Sequence, residues 1–117
     1  MAVMFKVEIH DIAKNDLVAL QKAGLQRFIE QAISKLDSLA KEEHPQLHPR
    51  VTNLKICPGW YRYRSGDMRI IFRFTKSSID LASADTLQIT MVDLRDEDTY
   101  AHELQRRYQA LEGNPEG

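Results

Sequence analysis

The sequence predicts an α+β fold in which helices pack on one face of a mainly antiparallel sheet. Three observations predict it: an alternating N-terminal segment, a long apolar stripe at helical spacing, and a run of alternating segments that ends in an amphipathic one. The 117 residues, of which 43% are hydrophobic and 28% charged, suffice for one domain with a buried core. We expect this domain to span residues 1–112 and residues 113–117 to form a frayed tail.

The first half of the chain predicts an N-terminal strand and two helices. Residues 3–9 alternate between apolar and polar types, as in a half-buried strand. Asp11 can cap the helix that follows, and Gly24 interrupts that helix. Over residues 25–40, apolar side chains recur at i, i+3 and i+4, which is typical of an amphipathic helix that packs against a sheet.

The second half predicts an antiparallel strand meander followed by a C-terminal helix. Pro58-Gly59 is a turn signal, and the final strand alternates Leu87, Ile89 and Met91 with polar residues. The predicted elements are a strand over 51–56, a hairpin over 60–74, a loop over 75–85, a strand from 87 to about 93 and a helix over 100–111.

Residues 60–74 are the segment for which the sequence predicts a structure most clearly, a β-hairpin. A two-residue turn at Ser65-Gly66 places Arg64 opposite Asp67 and Arg62 opposite Arg69. This register separates an apolar face from a face that carries four arginines, and a slip of one residue would mix the two sets. The apolar face holds Tyr61, Tyr63, Met68, Ile70, Phe72 and Phe74, and the other face holds Trp60, Arg62, Arg64, Asp67, Arg69, Ile71 and Arg73.

Charge is distributed unevenly along the chain, although the formal net charge is only −1. Residues 50–76 carry seven basic residues and one acidic residue, a net of +6. Residues 77–117 carry three basic and nine acidic residues, a net of −6, and residues 1–49 are near neutral. The total argues against a nucleic-acid-binding protein, which is usually basic, whereas the basic block alone favours an anionic partner.

Opposed arginines on neighbouring strands repel each other by a few tenths of a kcal/mol, so folding alone does not explain Arg62 opposite Arg69. A guanidinium binds phosphate or carboxylate through two hydrogen bonds, so an anionic ligand would explain the pair. A solvated outer face is the alternative explanation. Trp60 on the same face can stack on a base or contact a protein, or the terminal helix can cover it.

Two segments, LKICPGWYRYRSGDMRIIFRF and LQITMVDLRDEDTY, resemble the RelE/ParE superfamily of bacterial toxins. The resemblance implies a toxin that a cognate antitoxin neutralises. RelE-like members cut mRNA in the ribosomal A site without a metal, and ParE-like members inhibit DNA gyrase without a catalytic set. The matched positions, which favour the RelE-like branch and which the resemblance implies as catalytic, are Arg62, Arg64, Arg69, Arg95 and Tyr100.

The chemistry of RNA cleavage assigns different roles to these residues. Arginine stays protonated and suits stabilisation of charge on the phosphate, but it does not suit proton abstraction. Tyr100 is the one titratable side chain of the set, so it is the candidate base or orienting group, with packing of its ring on the sheet as the alternative. The predicted RNA-binding surface consists of Arg62, Arg64, Arg69, Arg73, Lys55 and Trp60.

The acidic run that precedes Tyr100 departs from the family pattern. Its carboxylates would weaken RNA binding if they faced the site, could orient arginines, or could cap the terminal helix, and capping is the interpretation adopted. With one cysteine, Cys57, and no His or Cys pairs at ligand spacing, we expect no disulfide, metal or cofactor. No apolar run is long enough for a membrane span, so a cytoplasmic protein is expected. Three functions stay open: an interferase of ribosome-bound mRNA, a gyrase inhibitor, and a non-toxic interaction protein of the same fold.

Overall fold

A computed structural model describes residues 5–75, 86–94 and 97–113. Among them, five strands form one mixed sheet in the order β1-β5-β4-β3-β2, in which β1 runs parallel to β5 and the other neighbours are antiparallel. The elements are β1 (Lys6–Ile9), α1 (Asp11–Lys22), α2 (Gln26–Leu39), a 3₁₀ helix (Pro45–Leu47), β2 (Val51–Asn53), β3 (Trp60–Ser65), β4 (Met68–Thr75), β5 (Thr86–Asp93) and α3 (Glu97–Glu112). The predicted α+β class and element order are confirmed.

The helices cover both faces of the sheet, so the prediction that they share one face is wrong. On one face, the apolar sides of α1 and α2 pack on Tyr63, Ile70 and Phe72. On the other face, α3 buries Trp60 and Ile71. Two cores therefore lie on either side of the sheet, and successive residues of β4 contribute to them alternately.

The ends of several elements differ from their predicted positions. The N-cap of α1 is His10 rather than Asp11, because the His10 Nδ1 accepts a hydrogen bond from the backbone N–H of Ile12 at 3.1 Å. β2 ends three residues early, because the segment after it turns inward and buries Leu54 and Cys57 in the α3 core. The predicted loop over 75–85 lies outside the described residues, except for Thr75 at the end of β4.

The β3–β4 turn lies one residue further along the chain than predicted. Ser65 pairs with Met68, so Gly66 and Asp67 form the two-residue turn. Gly66 has a φ of 61°, which suits the first central position of a type II′ turn. The shift puts Arg64 opposite Arg69 and Arg62 opposite Ile71. Each residue of β3 pairs with a residue two positions further along β4 than predicted, and residues two positions apart on a strand point to the same face. The predicted partition of side chains between the two faces is therefore confirmed.

The alternation predicted for the last strand is interrupted by a bulge. Ile71 of β4 pairs with Met91, and the next residue, Phe72, pairs with Ile89, so Thr90 has no opposite residue. The extra residue turns Met91 towards the α3 core, whereas Ile89 faces the α1 and α2 core. The Thr90 hydroxyl is buried and donates to the carbonyl of Ile71 at 3.3 Å.

Candidate functional site

The exposed end of the β3–β4 hairpin carries two arginines side by side. Arg64 and Arg69 are directly opposite each other, so their like charges lie on adjacent strands. Both side chains curl towards the turn: Arg64 Nε donates to the Gly66 carbonyl at 3.4 Å, and Arg69 Nη1 donates to the carbonyls of Asp67 at 2.7 Å and Gly66 at 3.4 Å. Within the described residues, neither guanidinium forms an ion pair, which leaves donors available to an anion.

Arg62 and Asp93 frame this arginine pair. Arg62 is half-buried on the same face of β3, between Thr52 of β2 and Ile71 of β4. Asp93 of β5 is opposite Arg69 on the far side of β4, so a carboxylate and a guanidinium occupy neighbouring strands there. The structure therefore brings three of the predicted phosphate-binding arginines to one end of one sheet face.

Two residues predicted to bind RNA, Trp60 and Arg73, belong instead to a row of side chains across the sheet. Glu8, Gln88, Arg73 and Trp60 are opposite one another on consecutive strands. Gln88 donates to Glu8 at 2.6 Å and accepts from Arg73 at 2.8 Å. Glu112 of α3 accepts from both Trp60 Nε1 and Arg73 Nη1, each at 2.9 Å.

Because Trp60 and Arg73 belong to this row, neither side chain is part of the predicted RNA surface. Trp60 is 0% exposed, and Tyr108 of α3 packs edge-on against its ring at 5.2 Å. A base cannot stack on an indole that α3 already covers, so the alternative in which the terminal helix covers Trp60 is the one that the structure shows. Lys55, in contrast, is exposed in the loop between β2 and β3.

Tyr100 and Arg95 differ in what the structure says of them. Tyr100 is 1% exposed and packs in the α3 core with Ile71, Met91 and Leu104. That position agrees with the packing alternative and keeps the ring away from solvent. Arg95 lies outside the described residues.

A buried arginine on α3, Arg107, was not among the predicted site residues. Arg107 donates to both carboxylate oxygens of Asp16 in α1 at 2.7 and 2.8 Å, and to Glu103 at 2.7 Å. It also donates to the carbonyl of Thr90 at 3.0 Å, and Asp16 accepts from the N–H of Val92 at 2.9 Å. Because β1 ends beside Ile89, these two side chains satisfy backbone groups on the uncovered part of the β5 edge.

The sequence does hold a signal for this cluster. Arg107 falls within the apolar stripe of α3, between Leu104 and Leu111, and a charged residue on a buried helix face needs a partner. Burial alone would lower the pKa of Arg107, but the hydrogen bonds to Asp16 and Glu103 raise it above its ordinary value. Chiefly through its hydrogen bonds with Arg106, Glu103 has a pKa below its ordinary value.

Neither a metal site nor a membrane span is found in the part of the chain that the structure describes. No group of three or more His, Cys, Asp or Glu side chains is placed to hold a metal ion there. Among the described helices, none has the length and apolar character that crossing a bilayer requires.

Comparison with solved structures identifies the fold. The chain is similar to a chain of the RelBE2 toxin–antitoxin complex from Mycobacterium tuberculosis, with a TM-score of 0.57. The two are 23% identical, and the match covers 81% of this chain and 95% of that chain. This chain has the RelE-like toxin fold. No protein-family model and no curated protein matches the sequence. The likeness in structure therefore agrees with the resemblance carried by the hairpin and the last strand.

Proposed function

We propose that this chain is the toxin of a type II toxin–antitoxin pair and acts as a RelE-like, metal-independent endoribonuclease on ribosome-bound mRNA. The observation that carries this proposal is the Arg64–Arg69 pair at the exposed hairpin end. Folding alone disfavours two opposed guanidinium groups, and an RNA phosphate would relieve their repulsion. On the RelE-like toxin fold, this placement supports a nuclease that inhibits translation by cutting message.

In the proposed reaction the 2′-hydroxyl oxygen forms a bond to the adjacent phosphorus while the bond from phosphorus to the 5′-oxygen breaks. The 2′-hydroxyl loses its proton to solvent water, the 5′-oxygen takes a proton from solvent water, and the products are a 2′,3′-cyclic phosphate and a 5′-hydroxyl. Arg64 and Arg69, with Arg62 beside them, stabilise the negative charge that grows on the phosphate oxygens. Arg95 is proposed to add to that charge stabilisation.

The role of Tyr100 in this proposal follows from its burial. A ring that is 1% exposed and packs against Ile71, Met91 and Leu104 is not in position to reach a substrate hydroxyl. We therefore assign Tyr100 to packing of α3 on the sheet. Its substitution by Phe, which removes only the hydroxyl, separates this role from that of a base.

An antitoxin is the proposed protein partner. The similar Mycobacterium tuberculosis chain was solved in a toxin–antitoxin complex, and a cognate antitoxin here would cover the arginines of the hairpin end. A neighbouring reading frame that encodes a small DNA-binding protein with an acidic tail is the genetic arrangement that this proposal expects.

Tightly controlled expression tests the nuclease directly. We expect growth arrest and new 5′ ends in cellular mRNA, mapped by primer extension, from the unmodified chain and from Tyr100→Phe, but not from Arg69→Ala. Arg106→Ala, which removes an exposed arginine of α3, serves as the matched control and is expected to behave like the unmodified chain. Equal arrest by Arg69→Ala would contradict the assignment of the hairpin arginines.

A second candidate, a ParE-like inhibitor of DNA gyrase, is favoured by the burial of Tyr100. Removal of Tyr100 from the exposed surface leaves arginines as the described residues of the predicted catalytic set, and arginine alone binds anions without abstracting protons. Cleaved gyrase–DNA complexes without cut mRNA would support this candidate. Harmless overexpression without an antitoxin would instead indicate a non-toxic interaction protein of the same fold.

A further inference from the structure

A groove of about 550 Å³ lies between α2 and the β3–β4 turn. Its lining comprises the apolar side chains of Leu25, Phe28, Met68 and Leu94, the polar side chains of Gln31, Lys35 and Ser65, the carboxylate of Asp67, and Gly66. Phe28 is 55% exposed, which is unusual for an aromatic ring, and Lys35 Nζ lies 3.4 Å from the Ser65 hydroxyl oxygen. The groove therefore combines an accessible aromatic ring with amide, hydroxyl, ammonium and carboxylate groups.

The groove adjoins the arginine pair of the hairpin end. Gly66 lines the groove, and its carbonyl accepts the hydrogen bonds from Arg64 and Arg69 at 3.4 Å. Both guanidinium groups therefore touch a residue of the groove wall. The two arginines project from the sheet face that α3 covers and α2 packs on the opposite face, so a nucleotide whose phosphate they hold would reach the groove by passing around Gly66 at the turn.

The extent of the apolar wall decides between a protein occupant and a nucleotide. Leu25 and Phe28 are three residues apart, about 4.5 Å along the axis of α2, and the next residues on that side, Gln31 and Lys35, are polar. A docked amphipathic helix needs apolar anchors spread over about two turns, which the α2 side of the groove does not offer. One planar ring with polar groups at its edge fits the wall better, and unstacked RNA bases are bound in this way.

We propose that this groove binds one unstacked base of single-stranded RNA, stacked on the ring of Phe28 beside the phosphate held by Arg64 and Arg69. Gln31, Lys35 and Ser65 contact the polar edge of the base, so the groove determines which base is preferred at the cleavage site. As a statement about the substrate of a nuclease, the proposal rests on the proposed function. As a statement about RNA binding, it is testable without any cleavage.

The first test measures binding of uracil, adenine and cytosine octaribonucleotides to the full chain by fluorescence anisotropy. Since stacking on an aromatic ring contributes strongly to single-strand binding, we expect Phe28→Ala to bind its preferred RNA about tenfold more weakly than the unmodified chain. Val18→Ala is the matched control, because Val18 is 47% exposed on α1 and lies outside the groove, and its binding is expected to be unchanged. Phe28→Trp should retain binding and show quenched indole fluorescence, against a background from Trp60, which is fully buried.

Equal binding by Phe28→Ala and Val18→Ala would overturn the proposal. It would also be overturned if the unmodified chain bound none of the three RNAs.

The second test maps mRNA cleavage sites in cells. Phe28→Ala should change the distribution of bases at the cut, and Phe28→Trp should not. If Phe28→Ala cuts mRNA with an unchanged distribution of bases, the proposed base-binding groove is overturned and the proposed nuclease activity stands. If RNA binds through Phe28 but no mRNA is cut, only the proposed nuclease activity is contradicted. Weakened antitoxin binding with unchanged RNA binding would assign the groove to a protein and overturn the proposal.

Discussion

Arg64 and Arg69 at the hairpin end have surroundings opposite to those of Arg73 on β4 and Arg107 on α3. Arg64 and Arg69 donate to carbonyls of the turn, and their charges repel each other. Arg73 and Arg107 each bind a carboxylate at less than 3 Å, and little of either side chain is exposed. The first pair has donors left for a ligand, whereas the second pair is committed to the fold.

This difference shows that arginines close to one sheet can have opposite surroundings. A buried ion pair contributes only when hydrogen bonds satisfy both partners, and the cluster around Arg107 meets that condition through Asp16, Glu103 and a backbone carbonyl. An exposed like-charge pair weakens the fold slightly and strengthens binding of an anion. The contrast predicts that substitutions in the two groups affect different measurements.

Arg107→Ala should cause the largest loss of stability. It leaves the carboxylate of Asp16 and the carbonyl of Thr90 without their donor at the β5 edge, and breaking a buried pair in this way costs about 3–5 kcal/mol. Urea-induced unfolding measures this loss. Arg106→Ala is the control, since its exposed pair with Glu103 contributes less than about 1 kcal/mol.

A double-mutant cycle with Asp16→Ala separates the pair itself from the loss of packing. We expect the combined variant to lose less stability than the two single changes added together, with a coupling of at least about 1 kcal/mol, because the second change removes the stranded charge. Additive effects would show that Arg107 stabilises the protein by packing alone.

Arg69→Ala should have the next largest effect, and on activity rather than on folding. Loss of one donor that stabilises charge in the transition state lowers a rate by about 10²–10³, or roughly 2.7–4 kcal/mol. Stability should change by less than about 0.5 kcal/mol, because the hydrogen bonds of the side chain within the described residues go only to carbonyls of the turn. Cleavage of ribosome-bound message in a translation extract measures the rate, and urea unfolding measures the stability.

Arg69→Lys is the informative companion to Arg69→Ala. It keeps the charge but loses the planar fork, so partial recovery of cleavage would separate electrostatic attraction from two-point binding of phosphate. A large loss of stability in Arg69→Ala would mean that this arginine belongs with Arg107 rather than with Arg64.

Glu112→Ala should have an intermediate effect confined to stability. It removes the acceptor of the buried Trp60 N–H and the partner of Arg73, and an unsatisfied buried donor costs about 1–3 kcal/mol. We expect the lower end of this range, since the Glu112 side chain is 37% exposed and water can replace part of its role. Urea unfolding followed by Trp60 fluorescence measures the change.

Glu112→Gln serves as the matched control because its amide oxygen still accepts from the indole. It should cost less than Glu112→Ala. Equal losses would show that the charge pair with Arg73 matters more than the hydrogen bond to Trp60.

Local sequence patterns predicted the faces of the sheet correctly but did not predict which arginines α3 covers. Alternation placed Tyr63 and Phe72 on one face because side chains of a strand alternate regardless of distant contacts. The position of the turn was wrong by one residue, since Ser65-Gly66 and Gly66-Asp67 are both plausible two-residue turns that preserve the same faces.

The candidate site depends on contacts between distant parts of the chain, which explains why prediction from the sequence was less successful there. Trp60 and Glu112 are 52 residues apart, and Asp16 and Arg107 are 91 residues apart. The apolar stripe of α3 marks Arg107 as a buried charge, but no periodicity identifies the distant partner in either pair. Trp60 and Arg73 therefore looked like members of an RNA surface, although α3 holds both of them in the fold.

The smallest expected effect is the dependence of stability on pH. Glu103 has a lowered pKa, chiefly because of its hydrogen bonds with Arg106, and Glu112 has one because hydrogen bonds from Trp60 and Arg73 outweigh the rise that burial causes. A carboxylate whose pKa is lower in the folded state than in the unfolded state stabilises the folded state at pH values above its unfolded pKa, which is near 4.5. This stabilisation is lost as the pH falls through the folded-state pKa. We expect the urea midpoint to fall between pH 5 and pH 3.

The double variant Glu103→Gln/Glu112→Gln should be less stable at pH 7 and should lose less stability between pH 5 and pH 3. Each partly exposed pair contributes less than about 1 kcal/mol to stability. The plots of stability against pH for the double variant and the unmodified protein should therefore differ modestly at pH 7 and converge at low pH. Glu43→Gln, a change at an exposed loop carboxylate, should run parallel to the unmodified protein. If the double variant keeps the full pH dependence, the carboxylates of Glu103 and Glu112 are not its source.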